Sequence, residues 1–373
     1  MQLTISKRFF SKALNNVAKA ISPNSPVPAL SGIKIEVTQD QLLLTGSDSN
    51  MTIIKTIELN DPDYQISVGE SGAVVLEAKY LLEMIRRLDG ETVNLDVVDT
   101  TFTKIKGQAV EYKINGIPAR EYPDIDIKHP LTYLDIEASD LMSLIHQTTF
   151  SVSKKEQRPV LTGVNFRNLD GMLTAVGTDS YRLSQKQIPV ESKEPFNVTI
   201  PARVLDDVDK IIENPGKIRF YISDRFVQFL IGDTLVQSRL IDGSFPETDR
   251  LIPQSYQQKL TVKVDELSAA LDRCAFIRND GMAIVKMHVD ENGITITSKN
   301  QEVGSSSETV DYISYEGDPI DIAFSGDYAR DAIRALNCET VVFLMSGEMK
   351  AFLIENIEFD QTIELLLPVR TYN

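Results

Sequence analysis

The sequence has few of the residues that build metal and disulfide sites. Its 373 residues include no tryptophan, two cysteines and three histidines. Cys274 and Cys338 each lie in helix-like sequence, so we expect no disulfide framework and a cytosolic protein. No window approaches the ~18 uninterrupted apolar residues of a membrane-spanning helix. Residues 1–8 have no apolar stretch behind their charges, so no secretory signal is predicted there.

Motifs of common enzyme classes are also missing. The sequence has no Walker loop, no G-x-G-x-x-G, no G-x-S-x-G and no H-E-x-x-H. None of His129, His146 and His288 has another histidine or cysteine at metal-ligand spacing. Asp124 and Asp126 lie in a loop flanked by proline, where solvated charges are a better interpretation than a general acid/base pair. These absences favour a scaffold over an enzyme.

Acidic residues outnumber basic ones, 54 to 38, which gives a formal charge of −16 at pH 7. Residues 256–373 hold most of the excess, with 20 acidic and 10 basic side chains. A chain of this charge is not expected to attract nucleic acid through its overall field. Any cationic surface must therefore be local.

A three-fold internal repeat dominates what the sequence does contain. Each third opens with an alternating strand pattern, a polar cap and a one-sided helix pattern, and a second helix pattern follows later. Asp-Gly and Asn-Gly turns separate further alternating runs, which predicts roughly eight strands per unit. We expect an α+β fold of three units, each with two helices packed on antiparallel sheets. The predicted units are residues 1–128, 129–255 and 256–373.

The first helix of each unit has apolar residues at i, i+3, i+4 and i+7, as a helix buried on one side requires. The predicted buried sets are Phe10, Ala13, Leu14, Val17, Ala18 and Ile21 in the first unit, Leu141, Leu144, Ile145 and Thr148 in the second, and Leu267, Ala270, Leu271, Cys274 and Ala275 in the third.

Cations recur on the opposite pole of these helices. Arg8, Lys12 and Lys19 fall within about 20° of the pole opposite Phe10 at 100° per residue. A solvated helix face is one interpretation; the other is loose contact with phosphates without base readout, which the recurrence favours. The further cations at this pole are Lys79, Arg86, Arg203 and Lys210.

Short motifs in a fixed order give the chain a family resemblance. They are Pro-Ala-Leu at 28–30, Leu-Thr-Gly-Ser-Asp at 44–48, Arg-Pro-Val-Leu-Thr-Gly at 158–163, Val-Gly-Thr-Asp-Ser-Tyr-Arg-Leu at 176–183, Asp-Gly-Ser-Phe-Pro at 242–246 with Arg250, and Leu-Pro-Val-Arg at 367–370. Over essentially its full length the chain resembles the β sliding clamps of bacterial DNA polymerase III.

The resemblance implies a ring of two copies joined head to tail, with helices lining the bore and sheets outside. Such a ring encircles duplex DNA without sequence preference and tethers the replicative polymerase, and a clamp-loader ATPase opens it. It also implies a cytoplasmic homodimer without cofactor, metal or catalytic activity.

The resemblance further implies a groove on the middle and last units that binds linear peptides of the polymerase and of other replication and repair proteins. Carried over by motif, it would use Arg158, Leu161, Thr178, Tyr181, Arg182, Leu183, Pro246, Arg250, Leu251, Ser325, Tyr328, Met349, Leu367, Pro368, Val369 and Arg370. From the residues alone, Leu161 and Leu183 are better interpreted as strand core.

Two further surfaces follow from the resemblance. Lys154 and Lys155, in the loop before Arg158, would add to the DNA-binding cations. The dimer contact would pair the first unit of one copy with the last unit of the other. Its candidates are Tyr80, Met84, Leu88 and Ile114 against Phe276 and Ile277.

The chain departs from many relatives at Tyr181, at Pro159-Val160 and in the extension Thr371-Tyr-Asn373. These departures predict a groove rim of different shape. Two other classes of protein stay open on the residues alone: a repeat scaffold that binds only proteins, and a repeat-built enzyme with an unrecognised carboxylate site.

Overall fold

The computed structural model describes residues 1–99, 101–155, 157–279 and 281–370. The extension 371–373 lies outside the described residues. The described part contains 27 strands, six α-helices and five short 3-10 helices, and the strand pairs are antiparallel. The predicted α+β class, with two helices in each third over antiparallel sheets, is confirmed.

The elements recur in the same order in each third. The first third contains β1 (Gln2–Ser6), α1 (Lys7–Ala18), β2 (Gly32–Val37), β3 (Gln41–Ser47), β4 (Met51–Glu58), β5 (Ser67–Glu70), β6 (Gly72–Glu77), α2 (Ala78–Arg87), β7 (Thr92–Val97), β8 (Phe102–Lys106), β9 (Glu111–Asn115) and β10 (Ile117–Pro118). The middle third contains β11 (Thr132–Glu137), α3 (Ala138–His146), β12 (Gly163–Leu169), β13 (Met172–Thr178), β14 (Arg182–Pro189), β15 (Phe196–Pro201), α4 (Ala202–Asp209), β16 (Lys217–Ile222), β17 (Phe226–Ile231) and β18 (Thr234–Arg239). The last third contains β19 (Gln258–Lys263), α5 (Val264–Cys274), β20 (Ile284–Asp290), β21 (Gly293–Asn300), β22 (Gly304–Val310), β23 (Ser314–Glu316), β24 (Ile320–Ser325), α6 (Gly326–Leu336), β25 (Thr340–Met345), β26 (Phe352–Asn356) and β27 (Phe359–Leu366).

The predicted helix phases match the buried faces closely. The sets predicted for α3 and α5 are buried throughout. In α1, the first four predicted residues are buried, but Ala18 and Ile21 are only half-buried. The reason is that α1 ends at Ala18, and Ala20 takes the buried position beyond it.

Two glycines mark where a helix end approaches a strand. A Cβ atom on Gly46 would lie 2.5 Å from the carbonyl oxygen of Val17, and one on Gly177 would lie 2.2 Å from that of Thr148. The third repeat has Ser298 at the equivalent place, where its hydroxyl donates to main-chain carbonyl oxygens. The first two thirds therefore share this close approach, and in the last third a serine side chain takes the place of the missing Cβ atom.

The strands form four sheets. Their orders are β5-β1-β7-β8-β9, β10-β6-β2-β3-β4-β18-β17-β16-β11, β15-β12-β13-β14-β27-β26-β25-β19-β23 and β22-β21-β20-β24. Each nine-stranded sheet combines strands of two successive thirds. We call the β4·β18 ladder the first seam and the β14·β27 ladder the second seam.

The chain divides into two compact units, Met1–Ala138 with Asp207–Leu240, and Ser139–Asp206 with Ile241–Asn373. The first seam lies within the first unit and the second seam within the second unit. The core of the second unit includes α5, α6 and the strands around them. The predicted boundaries at 128/129 and 255/256 stay a prediction.

Candidate functional site

An apolar cluster lies on the second seam. Leu183 of β14 is opposite Leu365 of β27, and Leu365 is in turn opposite Leu353 of β26. These leucines and Val176 of β13 form one buried cluster. The partly buried side chains packed against it are Phe245, Ile252, Leu344, Ala351 and Ile363.

Exposed apolar side chains accompany this cluster in the same unit. Tyr181, Leu251, Met349 and Leu367 are 64, 56, 54 and 41% exposed. The N–H of Leu367 donates to the carbonyl oxygen of Tyr181 at 3.0 Å, which continues the β14·β27 ladder past its last pair. Contiguous apolar patches, rather than single exposed side chains, typically mark interaction sites. The exposed Tyr181 and Leu367 each lie two residues along the chain from the buried pair Leu183 and Leu365, at the end of the second seam. We call the buried cluster with the side chains packed against it the apolar floor.

Arg182, one of the groove residues carried over by motif, lies in the interior. Its side chain is buried, and its Nη1 donates to Asp331 of α6 at 2.7 Å while Nε donates to Asp179 at 3.2 Å. Its Nη2 donates to the carbonyl oxygen of Phe150 at 2.7 Å, and the guanidinium lies 4.2 Å from the ring centroid of Tyr328. Each of the three guanidinium nitrogens of Arg182 thus donates a hydrogen bond, and the side chain connects β14 to α6 and to the ring of Tyr328.

Other predicted groove residues also support the local structure. Thr178 donates through its hydroxyl to the carbonyl oxygen of Arg182 at 2.6 Å. Ser325 caps α6 by accepting from the N–H of Tyr328 at 3.3 Å. Leu161 and Leu183 are only 3 and 2% exposed, so they belong to the interior.

The remaining predicted groove residues lie nearer the surface. Arg250 is exposed and pairs with Glu247 at 3.4 Å, and the N–H of Val369 donates to the carbonyl oxygen of Ala323 at 2.7 Å. Arg158, Pro246 and Arg370 are exposed, and Pro368 is half-buried.

Sequence reasoning missed several residues of the apolar floor. Val176, Phe245, Leu353 and Leu365 contribute to it but were absent from the predicted set. The period-2 pattern of a strand could have indicated Leu365, since Leu367 lies two positions further along the chain. Leu353 had no such signal, because its position depends on how β26 pairs with β27.

The second seam also buries a carboxyl group. Glu364 of β27 is opposite Ser184 of β14 and accepts a hydrogen bond from the Ser184 hydroxyl. Its other oxygen, Oε1, has no partner among the described residues. Burial holds the pKa of Glu364 well above its usual range, against the opposing effects of Ser184 and the charge of Arg182.

Acidic side chains lie close to several cations of the helix surface and reduce its positive charge. Lys12 of α1 forms an ion pair with Glu213. Lys19 is half-buried, its Nζ donates to Asn16 at 2.8 Å, and desolvation lowers its pKa despite the nearby Asp207 and Glu213. The positive charge that the sequence predicts on this side of α1 is therefore partly neutralised by residues far along the chain. Arg8 is exposed, with its guanidinium carbon 5.6 Å from the ring centroid of Phe9.

The other predicted DNA-binding cations lie at the surface. Lys79 is exposed, with Nζ 5.7 Å from the ring centroid of Tyr80. Arg86 pairs with Glu83 at 2.7 Å, and Lys210 pairs with Asp207 at 3.6 Å. Lys154, Lys155 and Arg203 are exposed as well.

The predicted dimer candidates divide into exposed and buried residues. Phe276 is 67% exposed and Tyr80 49%, and Met84 is partly exposed. Leu88, Ile114 and Ile277 are buried within the chain itself. Burial within the single chain leaves these three side chains little surface for a second copy, and the dimer contact as a whole stays a prediction.

The described residues contain no group of three or more His, Cys, Asp or Glu side chains placed to bind a metal ion. His129 instead stacks on Tyr221, with ring centroids 4.5 Å apart. Within the described ranges, none of the helices has the length and apolarity that crossing a membrane requires.

Comparison with known proteins places this architecture among the clamps of DNA polymerases. Models of the N-terminal, central and C-terminal domains of the DNA polymerase III beta subunit match residues 1–126, 135–247 and 249–370. The beta sliding clamp of Staphylococcus aureus (strain Mu50 / ATCC 700699) is 33% identical over 100% of both chains, and that of Staphylococcus epidermidis is 32% identical over 100% of both. The crystal structure of the DNA polymerase sliding clamp from Bacillus subtilis superposes with a TM-score of 0.95, at 32% identity over 100% of both chains.

The chain belongs to the DNA polymerase III beta subunit family, the bacterial beta sliding clamps. Its role is that of a DNA sliding clamp. The resemblance inferred from the sequence motifs is confirmed.

The buried Glu364 generates a prediction about pH. Because its folded pKa lies above the unfolded value, its stabilising contribution is complete below the unfolded pKa and is lost as pH rises toward the folded one. Glu364→Gln keeps the shape and removes the titration. At pH 7.5 the variant should be more stable than wild type by about 1–3 kcal/mol, and the difference should shrink toward pH 4.5.

Urea unfolding midpoints at the two pH values would measure this. Glu348→Gln, at an exposed position, is the matched control and should follow wild type at both. A Glu364→Gln advantage that does not change with pH would show that Glu364 does not titrate as described.

Proposed function

We propose that two copies of the chain close into a ring around duplex DNA and tether partner proteins through the apolar site on the second seam. The ring catalyses no reaction, needs no cofactor, is opened by a clamp-loader ATPase and works in the cytoplasm. The observation that carries the ring is the strand count of the sheets. Each nine-stranded sheet joins five strands of one repeat to four of another, and one sheet of five and one of four remain.

The repeat predicts how the two remaining sheets join. In each seam, the third strand after the first helix of one repeat pairs with the third strand after the second helix of the next repeat. These pairs are β4 with β18 and β14 with β27. The corresponding strands of the remaining sheets are β22 and β9, and each stands at a sheet edge. An unpaired edge is a template for another strand. We therefore infer that β22 of one copy pairs with β9 of the other.

The register follows from the same equivalence. Ile53 opposite Val236 and Ser184 opposite Glu364 occupy matching positions in the two seams. The opening strands of the three thirds contain Leu3, Leu134 and Leu260 at equivalent positions. Three successive strand pairings across the sheet lead from these leucines to Tyr112, Val236 and Glu364, which are therefore equivalent. The strand pairs β3·β4, β13·β14 and β21·β22 show in the same way that Ser306 is equivalent to Ile53 and Ser184. Ser306 should therefore lie opposite Tyr112, and Ser305 opposite Lys113.

The exposed Phe276 supports this pairing. It occupies the repeat position of Phe150, which lines a cleft together with Asp331 and Ala335 of α6. The repeat equivalent of α6 in the first third is α2, so Phe276 should meet α2 of the other copy. Tyr80 and Met84 of α2 thus remain in the proposed contact, and Ile114 belongs to it through the main chain of β9. The buried side chains of Leu88 and Ile277 are not needed for it.

The register makes the ring testable by crosslinking. Opposed Cα atoms in an antiparallel pair lie about 4.5–5.5 Å apart, within reach of a disulfide. Lys113→Cys with Ser305→Cys should give covalent dimers under mild oxidation, seen on a non-reducing gel. The control, Lys113→Cys with Thr309→Cys, shifts one partner by four residues, about 13 Å along the strand, and should not crosslink.

Ring closure should also depend on Phe276. Phe276→Asp would place an unpaired charge in the contact, so the variant should elute as a folded monomer at micromolar concentration. Ile357→Asp, at a similarly exposed position, should stay dimeric. A dimer that forms without the predicted crosslink would contradict the register.

DNA contact in this proposal is weak and local. The chain is strongly acidic, and several helix cations are already paired with carboxylates. Few, solvent-screened phosphate contacts suit a ring that must move along the duplex. Arg8 and Lys79 are the best single probes, because both are exposed and stand on helices proposed to line the bore.

Reversing these two charges should weaken contact with DNA. Arg8→Glu with Lys79→Glu should shorten retention on nicked circular DNA severalfold at low salt and flatten the salt dependence, by about 0.9 in log–log slope per lost phosphate contact. Lys193→Glu with Arg225→Glu changes the net charge equally at exposed loop positions and should behave as wild type. The measurement is gel filtration of loaded clamps over a salt series, and all variants should leave the circle once it is linearised. Equal retention of both double variants at low salt would remove this surface from the proposal.

For the peptide site we propose the residues carried over from the family, with the roles that their surroundings support. Leu183, Leu161, Thr178, Ser325 and Arg182 hold the site in shape. The exposed side chains of Tyr181, Leu251, Met349 and Leu367 are proposed to contact the peptide, with Arg158, Pro246, Arg250, Tyr328, Pro368, Val369 and Arg370 around them. An apolar cleft with a few polar groups suits a linear peptide with two or three apolar anchors.

Truncating an exposed anchor contact should weaken peptide binding without unfolding the chain. Met349→Ala and Leu367→Ala should each reduce affinity for a clamp-binding peptide of the polymerase at least roughly tenfold, which corresponds to about 1.4 kcal/mol. Leu169→Ala, at an exposed hairpin position, is the control. Calorimetric titration measures the effect, and wild-type affinity in both test variants would refute the site. Leu183→Ala is a poorer test, since a truncated core leucine costs about 2–5 kcal/mol of stability.

We also propose three structural units with the predicted limits, 1–128, 129–255 and 256–373. The matched spans of the family models, 1–126, 135–247 and 249–370, support this division.

A further inference from the structure

The first seam repeats the ladder of the second seam with polar side chains. Thr52 of β4 is opposite Gln237 of β18, and Gln237 is in turn opposite Gln228 of β17. By register these are the positions of three leucines in the second seam, namely Leu183, Leu365 and Leu353. The row that forms an apolar floor in one seam is therefore a row of hydroxyl and amide groups in the other.

A segment of the same chain lies across this polar row. The Nε2 of Gln237 donates to the carbonyl oxygen of Asp126 at 3.1 Å, and the Nε2 of Gln228 donates to that of Lys128 at 3.3 Å. The Oε1 of Gln228 is 2.7 Å from Nδ1 of His129. Gln228 is 0% exposed, so its amide group is buried where it meets the segment. The amides thus bind two main-chain carbonyls in alternate positions, as an extended peptide would present them.

Apolar anchors hold the upstream part of the segment. Tyr122 is buried in a small cluster with Ala29, Leu30 and Val75, and Ile125 packs against the same cluster. Residues 122–129, which we call the linker segment, thus combine apolar anchors with fixed main-chain carbonyls. These are the two features by which grooves recognise linear peptides.

The corresponding linker of the second seam is longer. The aromatic-proline pair at Tyr122 lies 12 positions before Leu134, whereas the equivalent pair at Phe245 lies 15 positions before Leu260. The additional length includes a turn of 3-10 helix at Asp249–Leu251, where Leu251 is left exposed. The second linker therefore spans its seam with a longer stretch of chain than the first linker does.

We propose that the first seam is a second copy of the peptide groove, filled by the linker segment, and that Gln228, Gln237 and the short linker exclude partner peptides from it. This inference rests on the proposed peptide site at the second seam. A competing peptide would have to place its apolar anchors against a row of hydroxyl and amide groups, of which the amide of Gln228 is fully buried. It would also compete with a segment that is covalently attached and therefore present at high effective concentration. Each chain then offers one peptide site, and each ring offers two.

The first test measures how strongly the amides of Gln228 and Gln237 bind the linker segment, and it needs no peptide. Gln228→Leu with Gln237→Leu removes both amides at nearly constant volume. Limited trypsin cleavage after Lys128 should then rise at least tenfold, while cleavage after the exposed Lys193 should not change. The control, Gln254→Leu with Gln257→Leu, changes two exposed glutamines and should leave both cleavage rates at wild-type values. An unchanged rate at Lys128 in the test variant would overturn the proposal.

The second test counts peptides. A chain with Thr52→Leu, Gln228→Leu and Gln237→Leu, and with three residues inserted after Asp126, should bind two clamp-binding peptides of the polymerase per chain in calorimetry, where wild type binds one. A folded variant that still binds one, with its linker released by the trypsin criterion, would refute the exclusion mechanism. If this variant fails to fold, the trypsin result on the double variant decides the proposal. Failure of the second-seam site would appear separately, as wild-type peptide affinity in Met349→Ala and Leu367→Ala.

Discussion

Main-chain hydrogen bonding between strands of neighbouring repeats underlies the other features of this clamp. Each seam is an antiparallel ladder of five residue pairs in which the backbone of one third continues the sheet of the next. Backbone groups in a sheet interior must find partners, so a ladder fixes the register of both strands along its whole length. The register then decides which side chains meet across the seam. Leu183 faces Leu365 in one seam and Thr52 faces Gln237 in the other for this reason alone.

The seams give one repeat unit two different surfaces. The same backbone geometry supports a row of leucines in one place and a row of glutamines in the other, and the side chains decide what can lie on top. Arg182 shows that a residue of such a site can have a structural role. Its guanidinium is occupied by two carboxylates, a carbonyl oxygen and the face of an aromatic ring, so it shapes the site without facing outward.

Local sequence patterns predicted the elements well, because helix and strand periods are local properties. Phe10, Ala13, Leu14 and Val17 form the buried face expected for α1, and the sets expected for α3 and α5 are buried throughout. Contacts between distant residues escaped prediction. The partner of Lys12 is Glu213, which lies in another repeat, and nothing near Lys12 in the sequence indicates it. Leu88 and Ile277 have apolar neighbours that look the same in sequence whether the side chain points into its own unit or toward a partner. Only the packed structure separates these cases, and it buries both.

The sheet edges β9 and β22 have a consequence for assembly. They belong to different sheets, so the contact proposed between them joins two different surfaces and is heterologous. A contact of this type can in principle add copies without limit, and a filament is the alternative to a closed dimer. A closed dimer forms only if the second contact forms within the same pair of chains faster than a third chain binds. The high effective concentration of the two free edges within one pair favours this closure. Errors that distort either edge would therefore expose a free strand and convert a closed replication factor into a polymerising one.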